Sequence, residues 1–295
     1  MILVVGATGL VGGMIARELL RQGHALRILT RSDPAYQELV AVGAQAAPGD
    51  LKDPASLARA CEGVDALITT ASAGQRGGVD TPQSVDLEGN RNLIAAARAA
   101  GVKQFIYVSA LTASVDHPVA LARAKAETEA TLRDSGLAYT IIAANGIMDV
   151  MLPLLVGDRV RAGQPVTLVA EGRRRHSYVA AHDVAAFAVA AIGHPAALNR
   201  RVAVGGPQPL SWRDIVAEYE RSLGRSLSVR WIAPGELLPD LPTGLTELVS
   251  GLLAGLETFD SPVDMTDTSR TFRVALTPAS ALVDQEMRVD NAIVT

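Results

Sequence analysis

Short apolar runs alternate with helical stretches over the first half of the chain. The run "MILVV" is rich in β-branched residues, as expected of a strand buried on both faces. In "GLVGGMIARELLRQG" the apolar residues Ile15, Leu19 and Leu20 recur at helical spacing, and Gly23 supplies a stop. The pattern then repeats: "HALRILT" predicts a strand, "PAYQELVAVG" a helix, and "AQAAPGD" a short strand and turn. "DPASLARACEG" opens a helix with Asp53 as N-cap and Pro54 at its first position. "VDALITTAS" and "VKQFIYVSA" predict strands on either side of the long helical segment "TPQSVDLEGNRNLIAAARAAG". The helix in "PVALARAKAETEATLRDSG" then leads into the strand "LAYTIIAAN". Such alternation predicts an α/β fold, a parallel sheet with helices on both faces.

Beyond about Asn145 the pattern loosens. "PVTLVA", "RHSYVAA", "RVAVGG" and "LSVRWIA" predict short strands. "AHDVAAFAVAAIG", "LSWRDIVAEYERSLGR" with Ser211 as N-cap, "GLTELVSGLLAGLETF" and "TPASALVDQ" predict helices. The expected organisation is a nucleotide-binding sheet domain over residues 1–145 and a smaller substrate-binding or lid region over 146–295. Segments about 178–205 are expected to return to the sheet.

The turn between the first strand and helix carries the first candidate chemistry. "VVGATGLVGGMIA" spaces Gly6, Gly9 and Gly12 as G-x-x-G-x-x-G. Gly6 permits a tight turn off the strand, Gly9 lets backbone approach a pyrophosphate, and Gly12 lets helix and sheet pack closely. The helix start, with Thr8, Leu10 and Val11, offers N–H groups and a positive dipole end to phosphates. A strand before and a helix after are the context that makes this a dinucleotide-binding fingerprint, with a plain tight turn as the alternative. The expected fold is therefore a Rossmann-type doubly wound parallel sheet.

Residues after the next strands refine the expectation. "ILTRSDP" places Arg31 where an acidic residue would favour NAD. Arg31 can pair with a 2′-phosphate, and Thr8 and Ser32 can add hydroxyl contacts, so NADP(H) is expected over NAD(H). Asp33 precedes Pro34 and reads equally well as a helix cap. Asp50 and Leu51 follow the third strand, and Thr70, Ala71 and Ser72 follow the fourth, where such sheets bind ligands. The Gly-rich loop "AGQRGGVDTP" reads either as a cover for the cofactor or as plain surface.

Charge and cysteine content narrow the function classes. Lys+Arg 27 against Asp+Glu 31 gives a net charge of -4, which argues against nucleic acid as a partner. The short run "GRRRH" reads as a solvated turn or anion contact first and a nucleic-acid patch second. The single cysteine, Cys61, falls on the apolar side of a helix and reads as core. No Cys/His cluster has metal-ligand spacing, so no metal is expected. Apolar runs break before about 18 residues, so no membrane span is expected. Met1 runs directly into an apolar strand without a basic leader, and a cytoplasmic location is expected.

On "GATGLVG", "TRS", "GDLKD", "FIYVSA", "AKAETEATLRDSGLAYTII", "ANGIMD" and "HSYVAAHDVA", the sequence resembles the short-chain dehydrogenase/reductase superfamily, within it the atypical NmrA-like branch. The stretch around "ETE…L..SGL.YT" is similar to type-2 NAD(P)H:quinone oxidoreductases and triphenylmethane reductases. The lysine without tyrosine is similar to isoflavone and pinoresinol reductases. The resemblance implies an NADP(H)-dependent reductase of quinones, dyes or phenolic compounds, or a non-catalytic sensor of the nicotinamide pool. A homodimer fits the group, although no interface is legible.

The resemblance also assigns roles. Lys125 matches the lysine that contacts the nicotinamide ribose, and Ser109 the position at the end of the fifth strand that helps hold substrate. Leu121 stands where the tyrosine acid is usual. A quinone-like acceptor needs that acid less, because its charge delocalises, and Lys125 can stabilise the oxyanion or hold the ribose. His117, His176 and Tyr178 are alternative acids; Tyr178 also reads as packing and Asp183 as a helix cap. Asn145 and Gly146 are expected at the nicotinamide end, with a turn as the alternative. His117, Ile147, Met148 and Met151 are expected to face substrate, the Met- and Leu-rich stretch reading either as an apolar pocket or as a core helix. The expected function is hydride transfer from NADPH to a quinone or related conjugated or aromatic carbonyl compound. The alternatives are an NADP(H)-sensing regulator and a tailoring enzyme of natural-product assembly.

Overall fold

A computed structural model describes residues 1–31, 34–74, 78–239, 241 and 246–293. Ser32, Asp33 and part of the Gly-rich loop therefore lie outside the described residues. The chain forms two compact units. The first comprises Met1–Ala144, Ala181–Val204 and Thr268–Val274; the second comprises Asn145–Ala180, Gly205–Asp267 and Ala275–Thr295.

In the first unit β1 (Ile2–Val5) is buried along its whole length. It pairs in parallel with β2 (Leu26–Thr30) on one side and β4 (Ala66–Thr69) on the other. Val5 stands opposite both Leu29 and Thr69. The sheet adds β3 (Gln45–Pro48), β5 (Gln104–Ala110), β6 (Tyr139–Ala144) and β8 (Arg200–Val204) in the order β3-β2-β1-β4-β5-β6-β8. Every pairing is parallel. The winding reverses between β1 and β4, which opens a crevice at the carboxyl ends of those strands. This is the Rossmann-type α/β fold expected.

Helices α1 (Leu10–Arg21), α2 (Gln37–Ala41), α3 (Pro54–Cys61), α4 (Asn90–Ala99), α5 (Ala120–Asp134) and α8 (Ala181–Ala190) belong to this unit. α8 is rich in alanine and packs closely on α1. Asp53 caps α3 by accepting from the Ala55 N–H at 3.0 Å, as the sequence predicts. Cys61 is fully buried within the apolar cluster around Leu57, Leu93 and Phe105. The long helical segment differs from its expected form. Pro82–Gly89 winds as a π-helix before α4 begins, started by a Thr81–Ser84 capping box. The wider winding brings Asp86, within that turn, to full burial.

The second unit holds the parallel pair β7 (Val166–Val169) and β9 (Val229–Ile232). Its helices include α6 (Met148–Leu152), α7 (Asp158–Arg161), α9 (Trp212–Leu223), α10 (Thr246–Leu256) and α12 (Ala279–Ile293). α11 (Thr266–Phe272) belongs mostly to the first unit, where Phe272 meets Phe187 of α8, rings edge to face at 5.9 Å. "RHSYVAA" is not a strand. His176 bridges Leu210 and Ser261, and Val179 bridges Ile147. These bridges are isolated and go to separate neighbours, so no ladder forms.

His176 is fully buried in this second unit. Its Nε2 lies 3.0 Å from the Leu256 carbonyl, which can only accept, so Nε2 carries the proton. Nδ1 then accepts from Ser261 Oγ at 2.6 Å, and Ser261 Oγ accepts from Asn145 Nδ2 at 3.1 Å. Burial pushes the imidazole below its usual 6.5, against the opposing pull of the Leu256 carbonyl. The folded chain therefore binds fewer protons here than the unfolded chain, and stability falls as pH drops through the unfolded value. The melting temperature is expected to fall between about pH 7.5 and about pH 5.5 more steeply than in a His176→Gln variant, whose amide does not titrate. Thermal melts of both proteins across that range check this.

Candidate functional site

The turn after β1 is built so that only glycine fits at two of its three glycine positions. Gly6 adopts a φ of +87°, and a Cβ there would lie 2.7 Å from Thr70 Oγ1 and 3.0 Å from the Ala71 N. At Gly12 a Cβ would overlap the Gly6 carbonyl oxygen. The Gly9 N–H donates to that same oxygen at 3.0 Å, and Gly9 forms the N-cap of α1. Among the described residues no side chain caps α1, and its first turn, Leu10, Val11 and Gly12 with the following residue, holds no acidic group. Gly9 and Leu10 are exposed and Thr8 is half-buried. The leading N–H groups and the positive end of the helix are thus left to an anion.

A cleft of about 320 Å³ opens beside this turn. Gly6, Thr8, Arg31, Asp50, Leu51, Ala71 and Ser72 line it, all at or beyond the carboxyl ends of β1 to β4. Thr70 sits beneath, its Oγ1 3.4 Å from the Gly6 carbonyl. The Asp50 Oδ1 accepts from the Lys52 N–H at 2.8 Å and fixes the turn after β3. Asp80 also lines the cleft. Its carboxylate accepts from Arg31 Nη1 at 2.9 Å and from Lys52 Nζ at 2.7 Å. Arg31 Nη1 lies 3.8 Å from Asp50 Oδ2 as well. The Lys52 hydrogen bond, then that of Arg31, holds the Asp80 carboxyl below the usual carboxylate range despite its burial. No local pattern in "GGVDTP" marked Asp80, because its partners lie 28 and 49 residues away in the chain.

A second cluster lies under α5. Lys125 is only 9% exposed. Its Nζ is 3.6 Å from Asp86 Oδ1, 3.4 Å from the Val108 carbonyl and 5.4 Å from the centre of the Tyr107 ring. Asp86 Oδ2 accepts from the Ala73 N–H at 2.9 Å, while Oδ1 has no hydrogen-bond partner among the described residues. Burial, reinforced by Asp86 and Glu129, pushes the Tyr107 phenol well above its ordinary value, so it stays neutral. One helical turn before Lys125, the half-buried Leu121 lies against Gly74, its Cδ2 3.4 Å from where a Cβ would project. Ser109 donates to Glu129 Oε1 at 2.6 Å, and Glu129 in turn accepts from Arg133 and Arg201. The Ser109 proton is therefore committed, and its oxygen retains only acceptor capacity.

The remaining predicted residues fall elsewhere. His117 Nδ1 accepts from the Val119 N–H at 3.0 Å at the entry to α5. In the second unit, Asn145 is 6% exposed and its amide donates to the Ser261 carbonyl at 3.0 Å. Gly146 packs so tightly that a Cβ would meet Met151 Sδ at 2.7 Å and Tyr178 at 2.8 Å. Met148 and Met151 are buried in that unit's apolar core, whereas Ile147 is half-buried. Tyr178 is fully buried between His176 and Trp212, and burial pushes its phenol far up. Asp183, in the first turn of α8, is fully buried with His182 Nε2 at 2.9 Å. Arg173, Arg174 and Arg175 of the basic run pair with Glu171, Asp260 and Asp214.

With this geometry, a family described as NAD(P)H-binding matches residues 6–195. The chain belongs to the NAD(P)H-binding family. It is 33% identical to an NAD(P)H azoreductase of Xenophilus azovorans over 79% of this chain and 77% of that one. It is 32% identical to the photosystem II assembly factor Ycf39 of Synechocystis over 77% of this chain and 69% of that one. The NADPH-dependent quinone oxidoreductase QOR2 of Escherichia coli, solved with NADPH, superposes with a TM-score of 0.82 at 25% identity, over 97% of this chain and 99% of that one. The family's cofactor is NAD(P)H, and the glycine turn, uncapped α1 and adjoining cleft suit its pyrophosphate and adenosine. The NmrA-like relationship expected from the motifs fits these neighbours. The chain is an NAD(P)H-dependent oxidoreductase by family, and no helix among the described residues is long and apolar enough to cross a membrane.

A Gly12→Ala substitution is expected to lower stability by about 1–3 kcal/mol, because the methyl group must displace the Gly6 carbonyl. NADP⁺ binding is expected to be lost with it. Thermal melts and calorimetric titration measure the two effects.

Proposed function

We propose that the chain is an NADPH-dependent reductase that delivers hydride to a quinone or related conjugated or aromatic carbonyl compound, with Lys125 in place of a tyrosine acid. The observation that carries this reading is the buried Lys125–Asp86 pair, 3.6 Å apart, in the first compact unit. A lysine this deep is costly unless an anion faces it. Asp86 supplies that anion, the Val108 carbonyl takes one donor, and donor capacity remains for another group.

In this reading Gly6, Thr8, Gly9, Leu10, Val11 and Gly12 hold the pyrophosphate. Arg31 takes the 2′-phosphate, Asp50 and Leu51 take the adenine, and Thr70, Ala71 and Ser72 line the cofactor's path. The nicotinamide supplies the hydride when bound, and the chain supplies position and electrostatics. Lys125 holds the ribose hydroxyls and stabilises negative charge on the acceptor oxygen. Leu121 presents an apolar surface where an acid would stand, which suits an acceptor that delocalises its own charge. Ser109, committed to Glu129, accepts rather than donates, so it orients the acceptor instead of protonating it. The stretch Asn145 to Met151 and His117 are assigned to the nicotinamide end and the acceptor on sequence alone.

A second reading, an NADP(H)-sensing regulator, is favoured by Leu121 and by the similarity to an assembly factor. The two readings separate in one assay. NADPH oxidation is followed at the nicotinamide absorbance with a panel of quinones, azo dyes and conjugated ketones. The native protein is expected to turn over part of the panel. Lys125→Ala is expected to lose about 10²–10⁴-fold in turnover while still binding NADP⁺. Tight NADPH binding by the native protein with no turnover of any acceptor supports the sensor instead.

A further inference from the structure

The adenosine end of the cleft holds two cations and two carboxylates drawn from separate segments. Arg31 follows β2, Asp50 and Lys52 follow β3, and Asp80 comes from the crossover after β4. Asp80 is the hub. It engages Arg31 at 2.9 Å and Lys52 at 2.7 Å, and its side chain is only 6% exposed, against 45% for Arg31 and 38% for Lys52. Among the described residues, two cations here face two carboxylates. A ribose 2′-phosphate therefore meets cations already paired with carboxylates, although both groups that would bind it are present.

We propose that Asp80 sets the cofactor preference of this cleft, acting as a brake on NADPH selectivity by occupying the two cations a 2′-phosphate would use. The inference rests on the nucleotide-binding reading of the cleft. For the phosphate to gain charge-assisted bonds from Arg31 and Lys52, the Asp80 carboxylate must yield them. Asp80 is nearly buried, so water cannot replace what it gives up, and the exchange costs much of what the phosphate gains. NAD(H) faces no such competition. Its ribose 2′-hydroxyl can donate to a carboxylate at this rim, as acidic residues near the second strand do in NAD-binding sheets. The cluster thus accepts either cofactor, with Asp80 holding down the advantage that Arg31 and Lys52 would otherwise give NADPH.

The test needs no turnover. NADP⁺ and NAD⁺ are titrated calorimetrically into the native protein, Asp80→Asn and Lys52→Met, with a thermal melt of each. Asp80→Asn keeps the shape and an acceptor but removes the charge. It is expected to tighten NADP⁺ by about tenfold or more, while NAD⁺ changes by less than about threefold. Lys52→Met, which removes one of the two cations, is expected to weaken NADP⁺ by about tenfold with NAD⁺ again nearly unchanged. An unmoved NADP⁺/NAD⁺ ratio in Asp80→Asn, or one shifted toward NAD⁺, overturns the proposal. Should Asp80→Asn fail to fold, Lys52→Met decides: equal changes for both cofactors, or none, overturn it. A native protein that binds neither nucleotide removes the reading of the cleft itself, a result distinct from an unmoved ratio.

Discussion

The first unit depends on one contact that only hydrogen atoms permit, the approach of Gly12 to the Gly6 carbonyl. That carbonyl also accepts from the Gly9 N–H, and its own residue adopts a left-handed backbone pressed against Thr70. The contact fixes the angle at which α1 leaves β1. It therefore fixes where the helix N-terminus points and how close β4 can come. The cleft beside it exists because β1 is the strand at which the winding reverses. A side chain at Gly6 or Gly12 would collide with this turn.

Around that fixed turn, charge is arranged at two places with different economies. In the cleft beside the turn, Arg31 and Lys52 pair with Asp80, and Arg31 also with Asp50, at a partly exposed rim. Under α5, Lys125 and Asp86 are both buried and imperfectly satisfied. A rim can exchange partners with an incoming anion at moderate cost. A buried pair with spare donors keeps its polarity ready for a group that excludes water. Asp86 lies buried within the π-helical turn that precedes α4.

Much of the first unit was legible because its signals are local. The glycine spacing, the apolar runs and the Asp53 cap each depend on a few neighbouring residues and appear where the sequence predicts, as does the Ser211 cap in the second unit. What escaped was set by distant contacts. Asp80 meets Arg31 across 49 residues, and Asp86 meets Lys125 across a crossover, so neither has a spacing to read. The segment around Tyr178 has strand-like composition, yet its partners come singly from three parts of the second unit. Lys125 stood out by its resemblance to a known position, but its burial and its anion were not visible in the sequence.

Whether Lys125 supports hydride transfer without a tyrosine is decided by a single-turnover measurement. Protein loaded with NADPH carrying deuterium at the transferred position is mixed with a quinone, and nicotinamide absorbance is followed against the unlabelled cofactor. Loss of the absorbance in both, slower with the label and slower still in Lys125→Ala, is the predicted result. Bound NADPH that persists unchanged in the presence of the quinone would contradict it.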